Sequence, residues 1–139
     1  MTLARAAGRH LGRRGAFLLA MGLAWICTGA AILTTPIPAG IQYGLTIITT
    51  YISLHSLAWV WVVSGVIGVA FCPVREVGRD QLGFTALVIP AAAWSAGYLA
   101  DWIVVGEYSR GWVVSATYAA IAASVVIASG WPEIRRVSE

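Results

Sequence analysis

The sequence is short of charge. Only 11% of its 139 residues are Asp, Glu, Lys or Arg, less than half the share of an average globular domain, whereas 59% belong to the apolar set and the mean hydropathy is +0.79. A water-soluble fold of this size would lack the polar groups needed to cover its core. Cysteine is nearly missing as well. Cys27 and Cys72 are the only two, too few for a disulfide scaffold, and the apolar content excludes a disordered chain or a collagen-like one. Lysine is absent altogether, so every fixed positive side chain is an arginine. An integral membrane protein remains.

The charges that do occur leave long gaps. Sixty consecutive residues, from Gly15 to Val74, contain no Asp, Glu, Lys or Arg, and His55 is their only imidazole. At about 1.5 Å per residue this block is roughly three times too long for a single crossing of a hydrocarbon layer about 30 Å thick, so the chain must turn inside it. The turn belongs at Thr34-Thr35-Pro36-Ile37-Pro38-Ala39-Gly40, where two prolines remove backbone donors and disfavour helix in the residues before them. Two shorter uncharged windows, Gln81 to Ala100 and Gly111 to Pro132, each match one crossing.

The sequence therefore predicts an all-α membrane protein, a single membrane domain over residues 1–139 with four transmembrane helices at about 15–33, 45–71, 82–105 and 112–129. A basic segment over 1–14 and a tail over 131–139 flank them. Cys72-Pro73 and Gly130-Trp131-Pro132 supply stop signals for the second and fourth spans. Lipid offers the backbone no hydrogen-bond partners, so helices are the spanning element, and alternating ten-residue strands are not found. Arg5, Arg9, Arg13, Arg14, Arg75, Arg79, Arg135 and Arg136 fall on one side and Arg110 alone on the other. That bias predicts an antiparallel bundle in the cytoplasmic (inner) membrane with both termini cytoplasmic. Trp102, Trp112 and Trp131 fall at span ends, where an indole keeps its ring in the headgroup zone and its N–H wet.

The N-terminal basic residues followed by an apolar run also fit a secretory signal, with Thr28-Gly29-Ala30 as a cleavage site. The run continues to Leu33, beyond a usual signal core, so retention as a first span is expected. Leu3, Ala7 and Leu11 opposite Arg5, Arg9 and Arg13 form a basic amphipathic segment suited to an anionic leaflet, each Arg contributing about 1 kcal/mol. Nucleic acid is not the expected partner, because basic residues directly before a span are explained by topology.

Little in the chain carries chemistry. There is no C-x-x-C, metal-ligand cluster, P-loop, G-x-S-x-G or G-x-G-x-x-G, so no enzyme activity, cofactor, metal or small-molecule substrate is assigned. Two polar membrane residues stand out. His55 lies in the second apolar stretch, on one face with Tyr51 and Trp59 at i−4 and i+4. That stretch of 27 residues is roughly 40 Å of helix, so it must tilt strongly or begin later, and a start near Ile52 would place His55 at the outer headgroups. Asp101 is also on the outer side, either as a wet interfacial carboxylate or as a partner of His55. Pro90 lies inside span three, frees the carbonyl of Ala86 and tends to kink the helix, with Thr85 near enough to compensate. Cys27, some 18 Å deep, and Cys72, at the boundary, are too far apart to bond and are expected as buried fillers.

Small residues form the most informative pattern. Ala116, Ala120, Ser124 and Ala128 recur every four residues on span four, beside a second row of Ser115, Ala119 and Ala123. Shorter versions occur at Ala16/Ala20/Ala24/Thr28, Ser64/Gly68 and Ala93/Gly97. Such strips let helices approach closely, either within one bundle or between copies.

Several four-span families bear on the reading. Small multidrug exporters carry a membrane-embedded Glu in the first helix, which this chain lacks, and the phenylalanine and polar track of the fluoride-channel family is not found. In size, span count and basic ends the chain resembles phage holins, which accumulate in the cytoplasmic membrane and open lesions. The resemblance implies a non-enzymatic, self-associating protein whose partners are the bilayer and other membrane helices. The alternatives are an accessory or scaffolding subunit of a membrane complex, and a proton-coupled transporter using His55 and Asp101.

Overall fold

A computed structural model describes residues 2–74, 76 and 78–132, with side chains from residue 11 onward. Arg75 and the tail arginines Arg135 and Arg136 lie outside the described residues, as do the side chains of Arg5 and Arg9. Six helices follow in order: α1 (Thr2–Thr34), α2 (Ala39–Gly44), α3 (Thr46–Tyr51), α4 (Leu54–Phe71), α5 (Gln81–Val104) and α6 (Gly111–Ser129). Four are long and apolar enough to cross a membrane: Leu11–Thr34 of α1, and α4, α5 and α6. The protein is a small multi-span helical membrane protein, as its uncharged runs require.

The first span is set off from the basic segment by Gly12, whose backbone (φ 71°, ψ 177°) interrupts the helix in a region that disfavours residues with a Cβ. From there α1 and α4 form the most intimate antiparallel pair. Gly15, Gly22 and Gly29 line the seam at seven-residue spacing, facing Cys72, Gly65 and Ala58 in turn. A methyl group on Gly22 would sit 2.7 Å from the Gly65 carbonyl oxygen, and one on Gly29 would sit 2.7 Å from the Ala58 carbonyl oxygen. The backbones touch where side chains would otherwise hold them apart, the usual way of gaining dispersion energy between helices in lipid. The alanines expected to serve this purpose on span one, Ala20 and Ala24, are exposed.

Helix α5 packs antiparallel on α4, with Gly68 against Leu87 and Gly83 against Phe71. Helix α6 returns along α5, bolted by a reciprocal serine pair. Ser95 Oγ donates to the Ser115 carbonyl at 2.9 Å, and Ser115 Oγ donates to the Ser95 carbonyl at 2.8 Å. Polar side chains that satisfy each other across a helix pair act as adhesive where no water competes.

The second span starts later than the 45–71 range predicted from hydropathy. Leu45 (φ −128°, ψ 26°) and Ile52 (φ −131°, ψ 128°) leave helical geometry, and Ser53 caps a new helix, its Oγ accepting from Ser56 N–H at 3.2 Å. Residues 39–51 form two short helices packed on the C-terminal third of α5. Leu45 and Ile48 rest where Gly97 has no side chain, and Gly44 faces the Tyr98 ring.

Large aromatic rings fill the centre. Trp25 meets Trp61 edge-on at 4.6 Å between centroids, Trp61 meets Trp94 at 5.1 Å and Tyr118 at 5.9 Å, so all four spans contribute. Pro90 is buried in α5, and the carbonyl of Leu87, one turn before it, accepts the Trp25 indole N–H at 2.9 Å. A neighbouring helix thus supplies a donor near the proline, whereas Thr85 is exposed.

Candidate functional site

Three features stand out from the apolar background, one at each end of the bundle and one on its outer flank. At the end where α1 begins and α6 finishes, Arg14 is 3% exposed and Asp80 2%. Arg14 Nε donates to Asp80 Oδ2 at 2.6 Å and its Nη2 to Oδ1 at 2.9 Å, while Nη1 donates to the Trp131 carbonyl at 3.1 Å. The guanidinium also lies 5.1 Å from the centre of the Phe84 ring. This fork ties α1, the α4–α5 turn and the exit of α6 together. Asp80 stands at the N-cap of α5, yet its side chain makes no capping bond there, because both oxygens are turned to Arg14. The sequence reading took Arg14 for a free topological charge. Its buried pairing was missed, and the only signal was that Arg14 and Asp80 each border a long uncharged run.

At the other end, Asp101 is 1% exposed, so it is not the wet carboxylate that its position suggested. Its Oδ1 accepts the Ile47 N–H of α3 at 3.1 Å, and its Oδ2 is buried with no hydrogen-bond partner. His55 does not pair with it. The imidazole occupies the first turn of α4 and is exposed, as is Trp59, while Tyr51 belongs to a separate helix and is 85% exposed. The late start of α4 removes the face these three residues were expected to share. Among the described residues the ion pairs are Arg14–Asp80 and the exposed Arg79–Glu76, and no group of three metal-ligating side chains occurs.

The small-residue rows separate by environment. Ser64, Gly68, Gly97, Ser115 and Ala128 are buried inside the bundle, whereas Ala93, Ala116, Ala119, Ala120, Ala123 and Ser124 are exposed. The bundle buries the neighbouring face of α6, built on Gly111, Ser115, Val125 and Ala128. Three members of the expected packing strip, Ala116, Ala120 and Ser124, thus face outward. A mostly apolar groove of about 250 Å³ is lined by α1, the turn after it, α2, α5 and α6, through Thr28, Ile32, Thr35, Ile41, Trp94 and Tyr118 among others.

Cys72 is buried at the end of α4, and burial pushes its thiol up, leaving it protonated and unreactive at neutral pH. Cys27 is exposed on α1, not the buried filler expected. Compared with protein-family models, curated proteins and solved structures, the chain matches none of them.

Proposed function

We propose that the protein acts without catalysis, by assembling copies through the outward small-residue face of α6, and that the assembled copies permeabilise the cytoplasmic membrane as holins do. The exposed row Ala116, Ala120 and Ser124 carries this reading. Helix association in lipid draws on close backbone approach, and this row leaves the α6 backbone open to a partner while the bundle already uses the face built on Gly111, Ser115, Val125 and Ala128. The aromatic centre supports the second step. With Trp25, Trp61, Trp94 and Tyr118 packed against one another, a single protomer has its axis filled, so an aqueous path would run between copies.

The arrangement of the ends favours the same topology as the arginine bias. Arg14 and Trp131 meet at one end of the bundle, consistent with both termini on the cytoplasmic side.

Crosslinking in native membranes tests the assembly. Ala120→Leu combined with Ser124→Leu should reduce homo-oligomeric crosslinks at least several-fold while the monomer stays folded, and unchanged crosslinking would remove the α6 interface. Regulated expression in a bacterium tests the outcome. Abrupt loss of membrane potential after a delay is expected, and harmless accumulation at high level would end the holin-like reading. Crosslinks to a different membrane protein in place of a second copy would favour an accessory subunit.

A further inference from the structure

Asp101 presents a chemical problem that self-association does not address. A carboxylate taken out of water needs a partner for each oxygen or a neutralising charge, because burying it uncompensated costs several kcal/mol. Oδ1 has the Ile47 N–H, and Oδ2 has no protein donor. Among the described residues, no element packed around it offers a cation at pairing distance. On its own helix the nearest titratable group is Tyr98, whose hydroxyl donates to the Gly40 carbonyl at 3.4 Å. Helices α2 and α3 bring only Tyr43 and Tyr51, both exposed. The α5–α6 turn carries Glu107 and Arg110, also exposed, and Tyr108, whose ring lies 6.2 Å from that of Tyr98. His55 at the start of α4 is exposed.

We propose that Asp101 Oδ2 is the binding site of a small monovalent cation, a proton or a sodium ion, held beneath the outer helices α2 and α3. A divalent metal is disfavoured, since its second charge would go unbalanced beside one carboxylate and Asp101 belongs to no group of three His, Cys, Asp or Glu residues among those described. An ionisable side chain that is sequestered in a membrane protein and left half-satisfied is the signature of a proton or ion site. The inference is independent of the α6 interface.

The test is thermal unfolding of the full-length protein in detergent, wild type against Asp101→Asn. Asparagine keeps the oxygen that accepts from Ile47 and removes the charge. For a cation bound only in the folded state, the wild-type unfolding constant rises with pH, by up to about tenfold per unit, if the cation is a proton. It falls by up to about tenfold per decade of sodium chloride, relative to choline chloride at equal ionic strength, if the cation is sodium. Either dependence must be steeper in the wild type than in Asp101→Asn, since the other five acidic side chains are common to both proteins and cancel in the difference. Identical dependence in the two proteins, or none in either, overturns the site and leaves Oδ2 to a bound water. If Asp101→Asn does not fold, the wild type is treated in liposomes with dicyclohexylcarbodiimide, which adds a protonated carboxyl O–H across its C=N bond with no leaving group. Covalent adduct at Asp101 is expected, suppressed by sodium if sodium is the ligand. A peptide map showing Asp101 unmodified at acidic and neutral pH, with and without sodium, rejects the proposal.

Discussion

Both ends of the bundle bury an aspartate, and they do so in opposite ways. Asp80 has both oxygens bonded to Arg14, which in turn reaches the Trp131 carbonyl. Asp101 has one oxygen bonded to a backbone N–H and the other to nothing among the described residues. The same side chain at nearly the same burial is closed at one end and open at the other. A closed pair fixes geometry; an open one is available for exchange with a solute.

The contrast can be broken first at the closed end. Arg14→Ala strands the Asp80 carboxylate in an apolar setting and should destabilise the protein by about 3–5 kcal/mol, read from unfolding in detergent. Arg14→Ala with Asp80→Ala together should cost less than the sum of the two single changes, and additive losses would show that the pair is not coupled. At the open end, Asp101→Ala removes the acceptor of the Ile47 N–H and should cost about 1–3 kcal/mol. That loss should be concentrated in residues 39–51 and visible as faster amide exchange there, with the seam between α1 and α4 unchanged. The smallest effect belongs to the exposed Arg79–Glu76 pair, where Arg79→Ala should change stability by less than about 1 kcal/mol, and by still less in high salt. A large loss there would mean that charge near the α4–α5 turn matters beyond the Arg14 fork.

How much of this was legible beforehand follows from what lipid does to sequence patterns. The number of spans could be read because a crossing has a minimum length and uncharged runs expose it. The start of α4 could not be read from hydropathy, since Leu45 to Ile52 is as apolar as the span it precedes; the excess length of that stretch pointed to a start near Ile52, and the cap at Ser53 is the local signal that places it. Which side of each helix faces inward was hidden for a different reason. In water a helix shows a polar face, but in a bilayer both faces are apolar and the amphipathic pattern fades. The sequence therefore displayed the small-residue row of α6 without showing that Ala116, Ala120 and Ser124 would lie outside. It also concealed that Gly15, Gly22 and Gly29 form the tight seam of α1. The Arg14–Asp80 pair was invisible because the partners are 66 residues apart and each had a sufficient local explanation.

The indoles wedged between the spans have an electrical consequence. If copies assemble as proposed, one copy in a bilayer would be an insulator, because its centre is filled by Trp25, Trp61, Trp94 and Tyr118, and any current would belong to the crowd. Such a device would stay silent while sparse and switch on steeply with surface density, so its timing would be written in how much is made rather than in any ligand it meets.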